Sequence, residues 1–286
     1  MAIKLIECPR DAMQGIHEFI PTEKKVALIN SILKVGFDTV DFGSFVSPKT
    51  IPQMRDTGQV LQQLELTETS SKLLAIIANV RGAQDAVEFD EISYLGFPFS
   101  ISETFQQRNT NSSISESLQK VEEIQDLCLR NKKKLVVYIS MAFGNPYGDD
   151  WGSNIVITWT KELVKMGIRI IALSDTTGVS NPQNISYLFS NLIPAFPNVE
   201  FGAHLHTTPD TWEEKINAAF NSGCLRFDGA IKGYGGCPMA DDKLTGNMPT
   251  ENMLDFFKKK NIILGINEIA FAEALNLSDN ILSMYK

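Results

Sequence analysis

The chain has 286 residues, more than most single domains carry, and its 43% hydrophobic and 21% charged content is that of a globular protein with a core rather than a disordered one. Its 26 Lys and Arg stand against 34 Asp and Glu, a net charge of −8, which argues against a broad nucleic-acid or anionic-membrane surface. The apolar run in MAIKLIECPRD is broken by Glu7 and Arg10, too short for a signal-peptide core, and no run approaches the ~18 apolar residues of a membrane span, so a cytoplasmic protein is expected.

In chain order, IKLIEC (3–8) opens as a short β-rich run and PTEKKVALINSILKVG (21–36) follows with helical spacing, Pro21 suiting its first turn and Gly36 its stop. Seven further β-rich runs come after it: TVDFGSF (39–45), LLAIIANV (73–80), EISYLGFP (91–98), KLVVYISMAF (134–143), RIIALSD (169–175), VEFGAHLH (199–206) and RFDGAIKG (226–233). Between them SSISESLQKVEEIQDLCLRN (112–131) and TPDTWEEKINAAFNSG (208–223) carry helix start and stop signals. The segment QRNTNSSISES (107–117) reads as the most polar loop, and NKKK (131–134) as a solvated helix end.

Eight strands alternating with helices imply parallel pairing through crossover helices, and eight copies imply closure into a (β/α)8 TIM barrel, an α/β fold. An open doubly wound sheet is the alternative, but ECPRDAMQG after the first strand holds no GxGxxG phosphate turn. No Pro-, Gly- or Ser-rich linker divides the chain, so a single domain over 1–286 is expected, with the barrel over about 1–260 and a short C-terminal helical extension over about 261–286. The four cysteines, Cys8, Cys128, Cys224 and Cys237, show no CxxC spacing and are expected as thiols in a reducing compartment.

Two of the three histidines, His204 and His206, sit one residue apart at the end of the seventh strand. Residues i and i+2 of a strand share a face, and the C-terminal end of a barrel strand is where such folds place their active sites. A pair of imidazoles there is either a hydrogen-bonded structural pair or the start of a metal site. Other strand ends offer Arg10, Asp11, Asp41, Asp175 and Asn247 as polar candidates, and closure makes the first strand the neighbour of the eighth, so Asp11 and Asn247 come within reach of an ion held from strand seven. Two imidazoles, a carboxylate and an amide carbonyl without thiolate suit an octahedral divalent cation, magnesium or manganese, better than structural zinc.

The stretches PRDAMQ (9–14), DFGSFVSPKTIPQM (41–54), YISMAFGNPYGD (138–149), LSDTTGV (173–179), AHLH (203–206), GYGGCP (233–238) and GN (246–247) together resemble the hydroxymethylglutaryl-CoA lyases, a branch of the metal-dependent lyase and Claisen-condensing barrel superfamily. The resemblance runs along nearly the whole chain. It implies retro-Claisen cleavage of 3-hydroxy-3-methylglutaryl-CoA, or a close 3-hydroxy-acyl-CoA analogue, to acetyl-CoA and acetoacetate. By motif position it implies Asp11, His204, His206 and Asn247 as ligands of a Mg2+ or Mn2+ ion, with Arg10, Asp41, Asp175 and Cys237 as catalytic residues. Arg10 is expected to stabilise enolate charge and Cys237, on a Gly-rich loop, to transfer a proton. Lys49 reads either as a positive group for the coenzyme phosphates or as a solvated loop lysine. The expected partner is a small-molecule acyl-CoA, with neither nucleic acid nor membrane, and a homodimer is left open.

The sequence departs from the resemblance at several points. Asp41 stands where the lyases usually carry Glu; Ala12, Met13 and then Gly15, Ile16 and His17 follow the Arg-Asp pair differently; Thr207 and Thr208 replace Asp-Thr after the histidines; and Cys237 to Asn247 is one residue longer than usual. Two rival readings therefore stand: an acetyl-CoA-dependent Claisen-condensing synthase, and a degenerate metal-binding barrel acting as an interaction protein.

Overall fold

All eight β-rich segments form strands. The computed structural model describes residues 2–236 and 245–285. Its strands are β1 (Lys4–Glu7), β2 (Thr39–Ser44), β3 (Lys72–Ile76), β4 (Ile92–Ser100), β5 (Lys134–Ser140), β6 (Ile170–Asp175), β7 (Glu200–Thr207) and β8 (Arg226–Gly229). They pair in parallel in sequence order, β8 pairs with β1, and β6 with β7, so the sheet closes on itself as a TIM barrel.

Three strands end three or four residues before their apolar runs do, because a cap or turn cuts in. LLAIIANV stops at Ile76, and Asn79 accepts from the Gly82 N–H to cap the next helix. KLVVYISMAF stops at Ser140, after which Met141 takes a φ of 59°. RFDGAIKG stops at Gly229, and Ile231–Gly233 is a 3₁₀ turn.

Helices fill the crossovers. They are α1 (Pro9–Gln14), α2 (Thr22–Leu33), α3 (Thr57–Leu61), α4 (Val80–Val87), α5 (Glu103–Thr110), α6 (Ile114–Arg130), α7 (Ser153–Lys165), α8 (Pro182–Ala195), α9 (Trp212–Asn221), α10 (Thr250–Lys259) and α11 (Glu268–Leu282). The polar segment 107–117 is mostly helix rather than loop. Ser102 accepts from the Phe105 N–H to start α5, Asn111 closes it in the left-handed region, and a Ser113/Glu116 capping box starts α6. Local caps outweighed the polar composition. The NKKK end is also not wholly solvated: Lys133 is buried, and its ammonium donates to Phe89 O at 2.7 Å and Asp90 O at 3.2 Å.

The C-terminal extension is α11. The Asn267 N–H donates to Val35 O at 2.9 Å beyond α2, and Phe271 meets Phe37 edge-on with centroids 6.4 Å apart. Among the described residues no helix is long and apolar enough to cross a membrane.

Alternation along the strands gives the sheet two buried faces. Leu74, Tyr94, Val136, Tyr138, Ile170 and Ala172 form an apolar cluster inside the barrel, and a larger one fills the layer between sheet and helices. The strand starts are charged: Arg226 Nη1 lies 3.2 Å from Glu200 Oε1, and Lys4 Nζ 2.5 Å from Glu200 Oε2. The opposite, C-terminal mouth is where the singled-out residues gather.

Candidate active site

His204 and His206 point to the same side of β7, their ring centroids 5.5 Å apart, and both line a cleft of about 870 Å³, open mouth included. Asp11 reaches them from α1. That helix begins directly after β1, with Pro9 in its first turn, and so lifts Arg10 and Asp11 over the barrel mouth. Asp11 Oδ2 lies 3.5 Å from His204 Nε2, and ligand atoms of Asp11, His204 and His206 all fall within 4.8 Å of one another. Donors around a single divalent ion, at bonds of about 2.1 Å, stand roughly 3–4 Å apart, so the cluster fits one cation with small adjustments.

Asn247 arrives by a route the sequence did not indicate. A short strand β9 (Gly246–Asn247) pairs antiparallel with β7, placing Asn247 opposite His206. The side-chain amide nitrogen donates to Tyr234 O at 2.8 Å, which leaves the carbonyl oxygen as the end suited to a cation. Gly235 explains part of the Gly-rich segment: at φ +91° it presses so close to α1 that an added Cβ would sit 2.5 Å from Asp11 O. Cys237 lies outside the described residues. The other three cysteines are buried free thiols, as expected of core residues.

Arg10 is held by its neighbours in a fixed pose. Its Nη2 and Nε lie 2.6 and 3.0 Å from Asp41 Oδ2, Nε is also 3.2 Å from Oδ1, and Nη1 donates to Gln14 Oε1 at 2.6 Å. Gln14 Nε2 in turn donates to Asp11 Oδ1 at 2.8 Å, so one amide bridges the Arg-Asp pair. The shorter carboxylate at position 41 therefore still reaches the guanidinium.

Burial opposes the charge on Asp11, yet Arg10 and hydrogen bonding to His204 hold it well below the usual carboxylate range. For His204 burial also acts against the cation, but hydrogen bonds to Asp11 and Asp228 win and push it up to about 10. His206 goes the other way, down to about 4, through burial and the positive neighbour His204. Burial raises Asp41 to about 6 despite Arg10.

Two expected residues stand apart from the cluster. Lys49 is exposed on the turn after β2, next to Thr50 and Ile51 of the cleft wall. Asp175, expected among the catalytic groups, does not line the cleft; Ser174 and Thr176 on either side of it do. Strand alternation turns its carboxylate to the helix layer, where Lys215 lies 2.8 Å away.

The sequence profile of the HMGL-like family matches residues 3–278. The chain belongs to the HMGL-like family. Among HMGL-like relatives, a hydroxymethylglutaryl-CoA lyase of Bacillus subtilis is 32% identical over 254 residues, 89% of this chain and 84% of the relative. A 3-hydroxy-3-isohexenylglutaryl-CoA/hydroxy-methylglutaryl-CoA lyase of Pseudomonas aeruginosa is 29% identical over 95% of this chain and 90% of its own length. An HMG-CoA lyase from Acenitobacter baumannii, solved in complex with coenzyme A and 3-methylmalate, superposes with a TM-score of 0.91 at 29% identity, covering 99% of this chain and 92% of that one.

Three residues of this HMGL-like site were not found from sequence. Gln14 was legible only as part of PRDAMQ. Asp228, on β8, places Oδ2 3.3 Å from His204 Nδ1 and looked like an ordinary strand residue. Lys215, at a helical position in α9, carried no sign of being buried. Cys8, His204 and Asp228 form a second group close enough for an ion, in which burial pushes the Cys8 thiol well above its ordinary value and Asp228 Oδ2 already engages His204 Nδ1.

Proposed function

We propose that this chain is a carbon–carbon lyase that cleaves 3-hydroxy-3-methylglutaryl-CoA to acetyl-CoA and acetoacetate with the help of a divalent cation. The observation that carries the reading is the convergence of Asp11, His204 and His206 within 4.8 Å at the barrel mouth, with Arg10 beside them. Asp11, His204, His206 and the Asn247 carbonyl would hold the cation, and a donor set of nitrogen and oxygen suits Mg2+ or Mn2+. When bound, such an ion would supply Lewis acidity, making the tertiary hydroxyl of the substrate more acidic.

The chain's own groups account for the rest. Loss of the hydroxyl proton turns the C3–O bond into a carbonyl, the C2–C3 bond breaks, and its electron pair moves to the thioester enolate. Arg10, its orientation fixed by Asp41 and Gln14, offers N–H donors where that oxygen gathers charge. A proton delivered to C2 completes acetyl-CoA, and Cys237 is the donor proposed for it. Asp175 contributes without touching the substrate. Lys49, exposed at the rim beside Thr50 and Ile51 of the cleft wall, is the cation proposed for the coenzyme phosphates. A cytoplasmic location and one catalytic domain over 1–286 belong to the same reading.

The cleft flank formed by Val46, Ile51, Ile76, Ala78, Pro98 and Phe105 is apolar. It favours extending the substrate class to 3-hydroxy-3-alkylglutaryl-CoA esters with groups larger than methyl, as the name of the Pseudomonas relative records for that enzyme. The test is acetyl-CoA release from a panel of such esters, after chelation and again after Mn2+ is restored, with Cys237→Ala alongside. Release should require metal and fall about 10²–10⁴-fold in the variant. No metal-dependent release from any ester ends the lyase reading; product formation from acetyl-CoA plus a 2-oxo acid would favour the synthase.

A further inference from the structure

Asp175 and Lys215 meet in the layer between the barrel and its helices, their side chains 0% and 2% exposed. A lysine so deeply buried is costly unless every ammonium proton finds an acceptor. Lys215 finds three, and they belong to three different segments: Asp175 Oδ2 at 2.8 Å at the end of β6, Gly178 O at 2.9 Å in the following turn, and His206 O at 2.9 Å at the end of β7. Asp175 is fixed in its turn by Ser180, whose N–H donates to Oδ1 at 3.1 Å and whose hydroxyl donates to Oδ2 at 2.5 Å. The ammonium is therefore a rigid link from the β6 turn to the main chain of His206, whose ring faces the cleft on the other side of the sheet.

A buried ion pair by itself is weak evidence of stabilisation, since well-packed apolar side chains of similar size often do as well. An apolar side chain at position 215 would not hold the His206 carbonyl, however, and that bond is what reaches the site. We propose that Lys215 and Asp175 act together as a positioning pair that fixes His206 for cation binding. The inference deepens the functional reading above and rests on it. It gives Asp175 a role consistent with its outward placement.

The experiment titrates Mn2+ into the metal-free full chain, reading free Mn2+ by its electron paramagnetic resonance signal, for the wild type, Lys215→Met, Asp175→Asn and the double variant. Thermal midpoints are recorded alongside. Each single variant should raise the Mn2+ dissociation constant about ten- to a hundredfold, the range seen when supports of metal ligands are removed. The double variant should bind about as well as the weaker single one, because the two side chains act as a unit. Should Lys215→Met not fold, Asp175→Asn decides the matter: it keeps the side-chain shape but turns one acceptor oxygen into a donor group. Dissociation constants within about twofold of wild type in the folded variants, even with lowered midpoints, would mean a merely structural pair and overturn the proposal. A wild type that binds no Mn2+ would remove the functional reading, and this inference with it.

Discussion

Arg10 and Asp41 meet at the barrel mouth, Nη2 and Nε of the guanidinium lying 2.6 and 3.0 Å from Oδ2 of the carboxylate and Nε 3.2 Å from Oδ1, although the whole of α2 lies between them in the chain. The pair is nearly sealed from water, with side chains 8% and 1% exposed. A guanidinium held this way presents its remaining donors in a fixed direction.

Replacing Asp41 by Ala leaves Arg10 charged and buried without its main partner. Its donors would then swing by an ångström or more, and kcat should fall about a hundredfold while the KM for the acyl-CoA changes little, because the donors matter most where charge develops in the reaction. Steady-state acetyl-CoA release checks it. An unchanged kcat would mean that Gln14 alone can aim the guanidinium.

His204 depends on Asp228 in a comparable way. Oδ2 lies 3.3 Å from Nδ1, and the Arg226 guanidinium stands behind the carboxylate, Nε 4.0 Å from Oδ1 without a hydrogen bond between them. A proton shared at Nδ1 leaves Nε2, which faces Asp11, as the ring's ligand atom. Asp228→Ala should weaken Mn2+ binding about ten- to a hundredfold in a direct titration. Equal affinity in wild type and variant would show that ring packing, such as the edge-on contact with Tyr138, is enough to orient His204.

Glu7 carries the clearest pH signature. It is buried, its Oε1 accepts from the Ile231 N–H at 2.9 Å and its Oε2 from the Thr250 hydroxyl at 2.5 Å, so it joins both flanks of the segment that holds Cys237. Burial pushes its carboxyl from 4.5 up to about 8. A carboxyl whose folded value lies above its unfolded one favours the fold while protonated. That contribution is complete below pH 4.5 and is lost as pH rises through about 8. Glu7→Gln mimics the protonated form, so its stability relative to wild type should grow by roughly 1.4 kcal/mol per pH unit across that window. Urea unfolding at pH 5, 7 and 9 reads the difference, and parallel pH profiles for the two proteins would refute it.

The helix at Pro9–Gln14 and the cap residues that end β3 and α5 mark where local reading stopped short, because six residues of helix and single capping bonds leave little periodic trace. The eight strands were legible for the opposite reason. Each is a run of apolar, β-branched or aromatic residues bounded by turns, and their alternation with helices admits closure into a barrel.

By itself the sequence determined the strand set, the barrel they close into, and the chemistry of the cluster, since an i, i+2 histidine pair at a strand end must project both rings to one face. It also brought Asp11 and Asn247 toward that pair, but only the tertiary structure decided how they arrive and which polar residues stay out. Asp11 crosses to β7 because β1 pairs with β8, Asn247 arrives through an antiparallel pairing with His206, and Asp175 turns from the cleft toward Lys215. Side-chain direction depends on which face of a strand ends up as the lumen, and contact between residues 40 or 200 positions apart depends on closure, neither of which is a property of any local stretch of chain.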